Sequence, residues 1–356
     1  MKGIVAFIWL NCCVITTVAQ IDVSDARMQE VYEEVKTPFK QGMVITPSDP
    51  TKKIDCPSVF KKGNRWYMTY IQFDGRGYET WLATSKDLLH WKTKGRLLSF
   101  SDTSDWDMHQ KAGYIALQDP TWGGSYKLNK YDGKYWMSYF GSNMQGYEAG
   151  ELGISLAYTK KNPAIAHEWS RWAHPVLRAS DTNVRWWENK KLYKSSIIED
   201  RSKQWGYRFL MYYNANGDTS GNKPKFRWFE RIGIAGSNDM LHWDRFINEP
   251  LLQHTRGITA DPIVQRWNDI WIMFYYGAFW EGREKETFNR FACSYDGIHW
   301  TDWKGKDLIQ SSEPYDTKYA HKSFVVKYKG VVYHFYCAVD KKDVRGIAVA
   351  TSKRFK

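Results

Sequence analysis

Arg65-Trp-Tyr-Met-Thr-Tyr70 is a short strand signal built from aromatic residues, and it recurs four more times. The copies read Lys134-Tyr-Trp-Met-Ser-Tyr139, Arg208-Phe-Leu-Met-Tyr-Tyr213, Ile270-Trp-Ile-Met-Phe-Tyr275 and Val332-Tyr-His-Phe-Tyr-Cys337. Met68, Met137, Met211, Met273 and Phe335 are equivalent, at steps of 69, 74, 62 and 62 residues. A turn pair precedes each copy, as at Gly63-Asn64, Asp132-Gly133 and Asn268-Asp269, so each unit opens with a hairpin. A second strand follows in each unit and three times ends in Ser-x-Asp-x-x-His-Trp, at Ser85–Trp91, Ser237–Trp243 and Ser294–Trp300. Because this element recurs at an equivalent place, it reads as packing between units before it reads as a ligand site.

Five such units of about four short strands predict an all-β chain, a five-bladed β-propeller with a short N-terminal helix. The helix is expected over Ser24–Lys36, with Met28, Val31, Tyr32 and Val35 on one stripe and Pro38 ending it. Gln41–Thr46 is expected to pair with the last unit, which stops at Lys356 before a fourth strand, and so to close the ring. The organisation is then a signal peptide over 1–19, a helical segment over 20–38 and one propeller domain over 39–356.

Composition supports a packed chain. Of 356 residues, 25% are charged and 43% apolar, which excludes wholesale disorder. Nineteen Trp exceed what a core needs. Lys2 followed by an apolar run to Val18, then Thr17-Val18-Ala19, predicts an export signal cleaved near Ala19 and a secreted or periplasmic protein. No later apolar run reaches the roughly 20 residues of a membrane span. Cys56, Cys293 and Cys337 are odd in number and far apart, and read as buried small residues. The net charge of +12 favours acidic partners. Nucleic acid is excluded as a partner by the export signal and by the lack of a clustered basic tract.

The first strands of propeller units line a central funnel, so the residues where they begin are the candidates for chemistry. These read Asp55-Cys-Pro57, Asp119-Pro120, Glu188-Asn-Lys190, Asp261-Pro262 and His321-Lys322. Carboxylates crowded together raise one another's pKa, an arrangement that glycosidic bond cleavage uses: one acid protonates the leaving oxygen, the other activates water or attacks. Trp122 and Trp187 are candidate platforms for sugar faces. Lys194, Lys322 and His321 leave three readings: an acidic or sulfated sugar, phosphate for phosphorolysis, or charge balance within the funnel. No metal ligand set is found and no cofactor is expected, although an Asp-rich funnel also suits a calcium ion.

The five units, with Asp55-Cys-Pro-Ser-Val-Phe60 and Asp119-Pro120, resemble the five-bladed glycoside hydrolases of families 43, 32 and 130 over about residues 40–356. By resemblance to family 43, Asp55 would be the general base, Asp119 the acid that tunes the pKa, Glu188 the general acid and His321 the funnel histidine. Asp261 would bind sugar hydroxyls. Glu188-Asn-Lys departs from the family's acid motif, which leaves Glu148, Glu199 and Asp261 as rivals. The resemblance implies an exported glycoside hydrolase acting on an oligosaccharide or polysaccharide, inverting, and exo-acting if the inserts at 139–152 and 214–230 cover the funnel. A glycan-binding propeller without catalysis is the alternative, and a phosphorylase the third reading.

Overall fold

The computed structural model describes residues 22–102, 105–217 and 229–355. The expected signal peptide and part of the 214–230 insert lie outside the described residues. Helix α1 spans Asp25–Val35, and Ser24 caps it by accepting the Arg27 N–H on its Oγ at 3.3 Å. Met28, Val31 and Val35 form the buried stripe, as expected. Strand β1 (Phe39–Ile45) follows.

Five antiparallel groups then succeed one another along the chain. The first is β2 (Lys53–Lys62), β3 (Arg65–Phe73), β4 (Tyr78–Ser85) and β5 (Trp91–Leu98). The second is β6 (Gln110–Ile115), β7 (Tyr135–Ser142), β8 (Gly153–Thr159) and β9 (Ser170–Arg171). The third is β10 (Lys191–Glu199), β11 (Phe209–Asn216) and β12 (Phe229–Ser237). The fourth is β13 (Gly257–Trp267), β14 (Ile270–Trp280) and β15 (Arg283–Ser294), edged by β16 (Thr301–Asp302) and β17 (Ile309–Gln310). The fifth is β18 (Tyr319–Tyr328), β19 (Val331–Val339) and β20 (Arg345–Thr351). Parallel contacts join neighbouring groups, so the strands form two sheets.

The aromatic repeat is the second strand of every group. Met68, Met137, Met211, Met273 and Phe335 are each fully buried, which is why that position stays large and apolar. The first strands touch in cyclic order, β2 to β6, β6 to β10, β10 to β13, β13 to β18 and β18 back to β2. Strand β1 supplies the missing edge of the fifth group by pairing antiparallel with β20. Helix α1 lies across the groups: Glu34 accepts from Trp122 Nε1 at 2.7 Å and from Lys327, and Tyr32 stacks on Trp303.

The Ser-x-Asp-x-x-His-Trp element is one turn used three times. In the third group Ser237 Oγ accepts the backbone N–H of Met240, Asp239 accepts those of Leu241 and His242, and Trp243 Nε1 donates to the Met240 carbonyl. Asp87 and Asp296 repeat the pattern. The histidines point to solvent beside their own aspartates, while Trp91 and Trp300 pack on Phe335 and Tyr212 of the neighbouring groups. Cys56, Cys293 and Cys337 are free and buried. Among the described residues no helix is long and apolar enough to cross a membrane.

Candidate active site

Four of the five first strands carry a β-bulge near the same level. The extra pair is Cys56-Pro57 in β2, Tyr193-Lys194 in β10, Asp261-Pro262 in β13 and Lys322-Ser323 in β18. Cys56, Asp261 and Lys322 adopt left-handed backbone, with φ of 49, 59 and 57°. For residues with a Cβ this conformation is strained, and bulges of this kind re-aim side chains. Here they turn Cys56, Lys194, Asp261 and Lys322 onto the floor of one pocket of about 190 Å³. Cys56 Sγ and Lys194 Nζ lie 3.5 and 3.6 Å from Asp261 Oδ2. Lys194 is almost wholly buried and its ammonium has no hydrogen-bond partner.

Two glutamates enter the pocket from elsewhere in the groups. Glu148 stands on the loop after β7, and Glu230 at the start of β12. Asn214 Nδ2 donates to Glu230 Oε2 at 2.8 Å, while Asn214 Oδ1 accepts the Asp261 N–H. Burial, followed by the negative charges of Glu148 and Asp261, pushes the Glu230 carboxyl up to about 8. Burial also raises Glu148, and Asp55 adds to the rise, against the opposing charge of Lys322. Tyr147, beside Glu148, accepts from Arg345 Nη1 at 3.0 Å, and Lys191 Nζ donates to the Glu148 carbonyl.

Asp55 lies beneath this floor. Lys322 Nζ and Arg345 Nη1 donate to its Oδ2 at 3.0 and 2.8 Å. Burial alone would raise its carboxyl, but those two cations hold it far below the carboxylate range. It is therefore a weak proton acceptor and serves to fix two cations. Its carboxylate, His321 and Cys337 bring three potential metal-ligand atoms within 4.8 Å of one another. Two positive groups on the same oxygen oppose a metal cation there. Burial, which outweighs the attraction of Asp55, lowers the His321 imidazole to about 3, so it is neutral.

The structure brings Asp261, His321, Lys194 and Lys322 to the pocket, with Asp55 directly behind. It does not bring Asp119, Glu188, Trp122 or Trp187 there. Asp119 lies on the turn four residues beyond the end of β6 and does not line the pocket. Its carboxylate accepts the Thr121 and Ser125 N–H groups and caps a turn. Trp122, on that turn, anchors α1 through Glu34. Glu188 precedes β10 and is sealed by Arg245 at 2.8 Å and the Tyr213 hydroxyl at 2.6 Å. Trp187 is buried, donates to the Asn248 carbonyl and packs on Gly233. The rival Glu199 pairs with Arg208 away from the pocket, whereas Glu148 lines it. Glu230 escaped sequence reasoning because it sits on a third strand, outside the series of first-strand starts.

No family model and no curated protein matches the chain. Solved structures do match it. One, named as a BT0996 RGII complex, is 47% identical, with a TM-score of 0.90, covering 94% of this chain and 97% of that one. Another, named a glycoside hydrolase, is 46% identical with a TM-score of 0.90 over the same shares of both chains. A thermostable family-43 glycoside hydrolase is 18% identical, with a TM-score of 0.59 over 88% of this chain and 93% of that one, a likeness of fold.

Proposed function

The chain belongs to the glycoside hydrolases, and we propose that it is an exported, exo-acting enzyme with Glu230 as general acid and Glu148 as its partner carboxylate. The observation that carries this is the pair of glutamates in one pocket, with Glu230 raised to about 8. A carboxyl that keeps its proton near neutrality protonates a leaving oxygen; a second, ionised carboxylate activates water or attacks the sugar. In this reading the pocket, about 190 Å³, takes a single terminal sugar at a chain end. The cyclic contacts of the first strands support five blades around this pocket.

In this reading Lys194 and Asp261 bind hydroxyls of the terminal sugar, because the buried Lys194 ammonium is ion-paired with Asp261 at 3.6 Å but makes no hydrogen bond, and a sugar hydroxyl supplies one. Lys322 and Arg345 are already held by Asp55, which supports charge balance in the pocket over recognition of an acidic terminal sugar. The similar structure named as an RGII complex supports RGII-type oligosaccharides as the first substrates to test. Inversion is carried over from family 43, and NMR of the first-formed anomer decides it. N-terminal sequencing of the exported protein tests cleavage near Ala19.

The deciding experiment is product analysis on RGII-derived and other plant oligosaccharides, without phosphate. Release of one terminal sugar is expected. Glu230→Gln and Glu148→Gln are each expected to lower kcat by about a thousandfold or more, of the order of acid–base and nucleophilic roles. Turnover retained in both variants, or dependent on phosphate, would sink the assignment.

A further inference from the structure

A second concave surface lies at the far end of the first group. An open groove of about 690 Å³ is lined by Arg65, Tyr67, Thr84, Lys92, Lys94 and residues 164–166. Arg65, Lys92 and Lys94 are exposed, and no carboxylate among the described residues pairs with any of them. The neighbouring hollow adds Lys61, Lys62 and Lys127 beside Phe60 and Tyr135. The two adjoin: Phe60 stacks on Tyr67 at 5.4 Å, and the chain from Pro163 to residue 166 borders both. Neither lining contains an acidic residue.

The cations there crowd one another. Lys62 and Lys130 both sit over the Tyr135 ring, at 5.9 and 4.9 Å. Burial, and then the charge of Lys130, lower the Lys62 ammonium. Lysines on the β5 edge would by themselves be explained as guards against edge-to-edge pairing. That account does not reach Arg65, Lys61, Lys62 or Lys127, which stand on other strands and turns, nor the aromatic rings between them.

We propose that this groove is a second glycan site, which docks the acidic, carboxylate-bearing part of a polysaccharide while the pocket takes a chain end. Carboxylates spaced along a polyuronate meet the cations, and a sugar face lies against Tyr67. Cys56 on the pocket floor and Lys62 at the groove are six residues apart on β2, about 20 Å along an extended strand. The two sites are therefore separate, and the proposal stands whichever carboxylate is the acid.

The test uses the purified full chain and polygalacturonate, with neutral galactan and phosphatidylglycerol vesicles as comparisons. Affinity electrophoresis and calorimetry should show polygalacturonate binding that weakens about tenfold or more as salt is raised from low to physiological strength. The triple variant Arg65→Gln/Lys92→Gln/Lys94→Gln should keep the melting temperature and lose about tenfold or more in affinity. Lys61→Gln/Lys127→Gln, in the adjoining hollow, is a second variant that should weaken binding should the first fail to fold. Absence of binding by the native chain, unchanged affinity in both variants, equal binding of galactan, or binding of the vesicles alone would each overturn the proposal.

Discussion

Glu230 combines two properties that rarely coincide on a carboxyl group: it faces a pocket, and it is raised to about 8 by burial and by the charges of Glu148 and Asp261. An acid whose proton is required loses activity as pH rises through its pKa, so kcat/KM is expected to fall above about pH 8. Asn214 donates to the ionised form and pulls this value down. Asn214→Leu should therefore move the alkaline limb to higher pH, which a pH–rate profile reads; a limb that stays in place would remove Asn214 from the role. Stability follows the same sign. The raised carboxyl contributes stability that is fully present below the ordinary value of 4.5 and lost as pH rises through about 8. The melting temperature of Glu230→Gln should be less sensitive to pH in that window than that of the native chain. Asp261, His321 and Lys322 were legible as pocket residues because they sit at repeated first-strand starts, and Lys194 as a cation accompanying them. Glu230 was not, since its strand is third in the group and lies outside the series of first strands.

Bulges and turns act at the scale of elements. The strand repeats were legible from aromatic spacing, yet the bulges were not, because a register shift is decided by the partner strand. A one-residue change of register turns a side chain to the other face of its strand. Glu188 precedes β10 by three residues and is sealed by Arg245, while Lys194, inside the same strand, lines the pocket. The Ser-x-Asp-x-x-His-Trp turns show the converse. Their meaning was local, and backbone N–H groups satisfied by one aspartate explain the recurrence. Burial opposes ionisation of Asp239, but hydrogen bonds from His242 and Leu241 together outweigh it and hold the carboxyl at about 2. Asp239→Ala should lower stability by about 1–2 kcal/mol, the cost of losing such a cap, and leave turnover unchanged. Chemical denaturation and rate assays check both; a loss of turnover without a loss of stability would make His242 a ligand candidate again.

The whole molecule closes through its N-terminal segment. Strand β1 covers the open edge of β20, and α1 buries Met28, Val31 and Val35 against other groups. Burying such side chains is worth about 1.5–3 kcal/mol each, so the three together are comparable to the net stability of a typical domain. A chain lacking residues 22–46 should therefore melt well below the native one and aggregate through the exposed β20 edge. An unchanged melting temperature would show that the ring needs no such closure. The sequence by itself determined the five repeats, their aromatic strands and the helix, because these follow from local periodicity and turn chemistry. Only the tertiary structure decided which carboxylates share a pocket. That outcome depends on strand register, on bulges and on the level at which distant loops enter the ring, and each of these is set by neighbours far away in the chain.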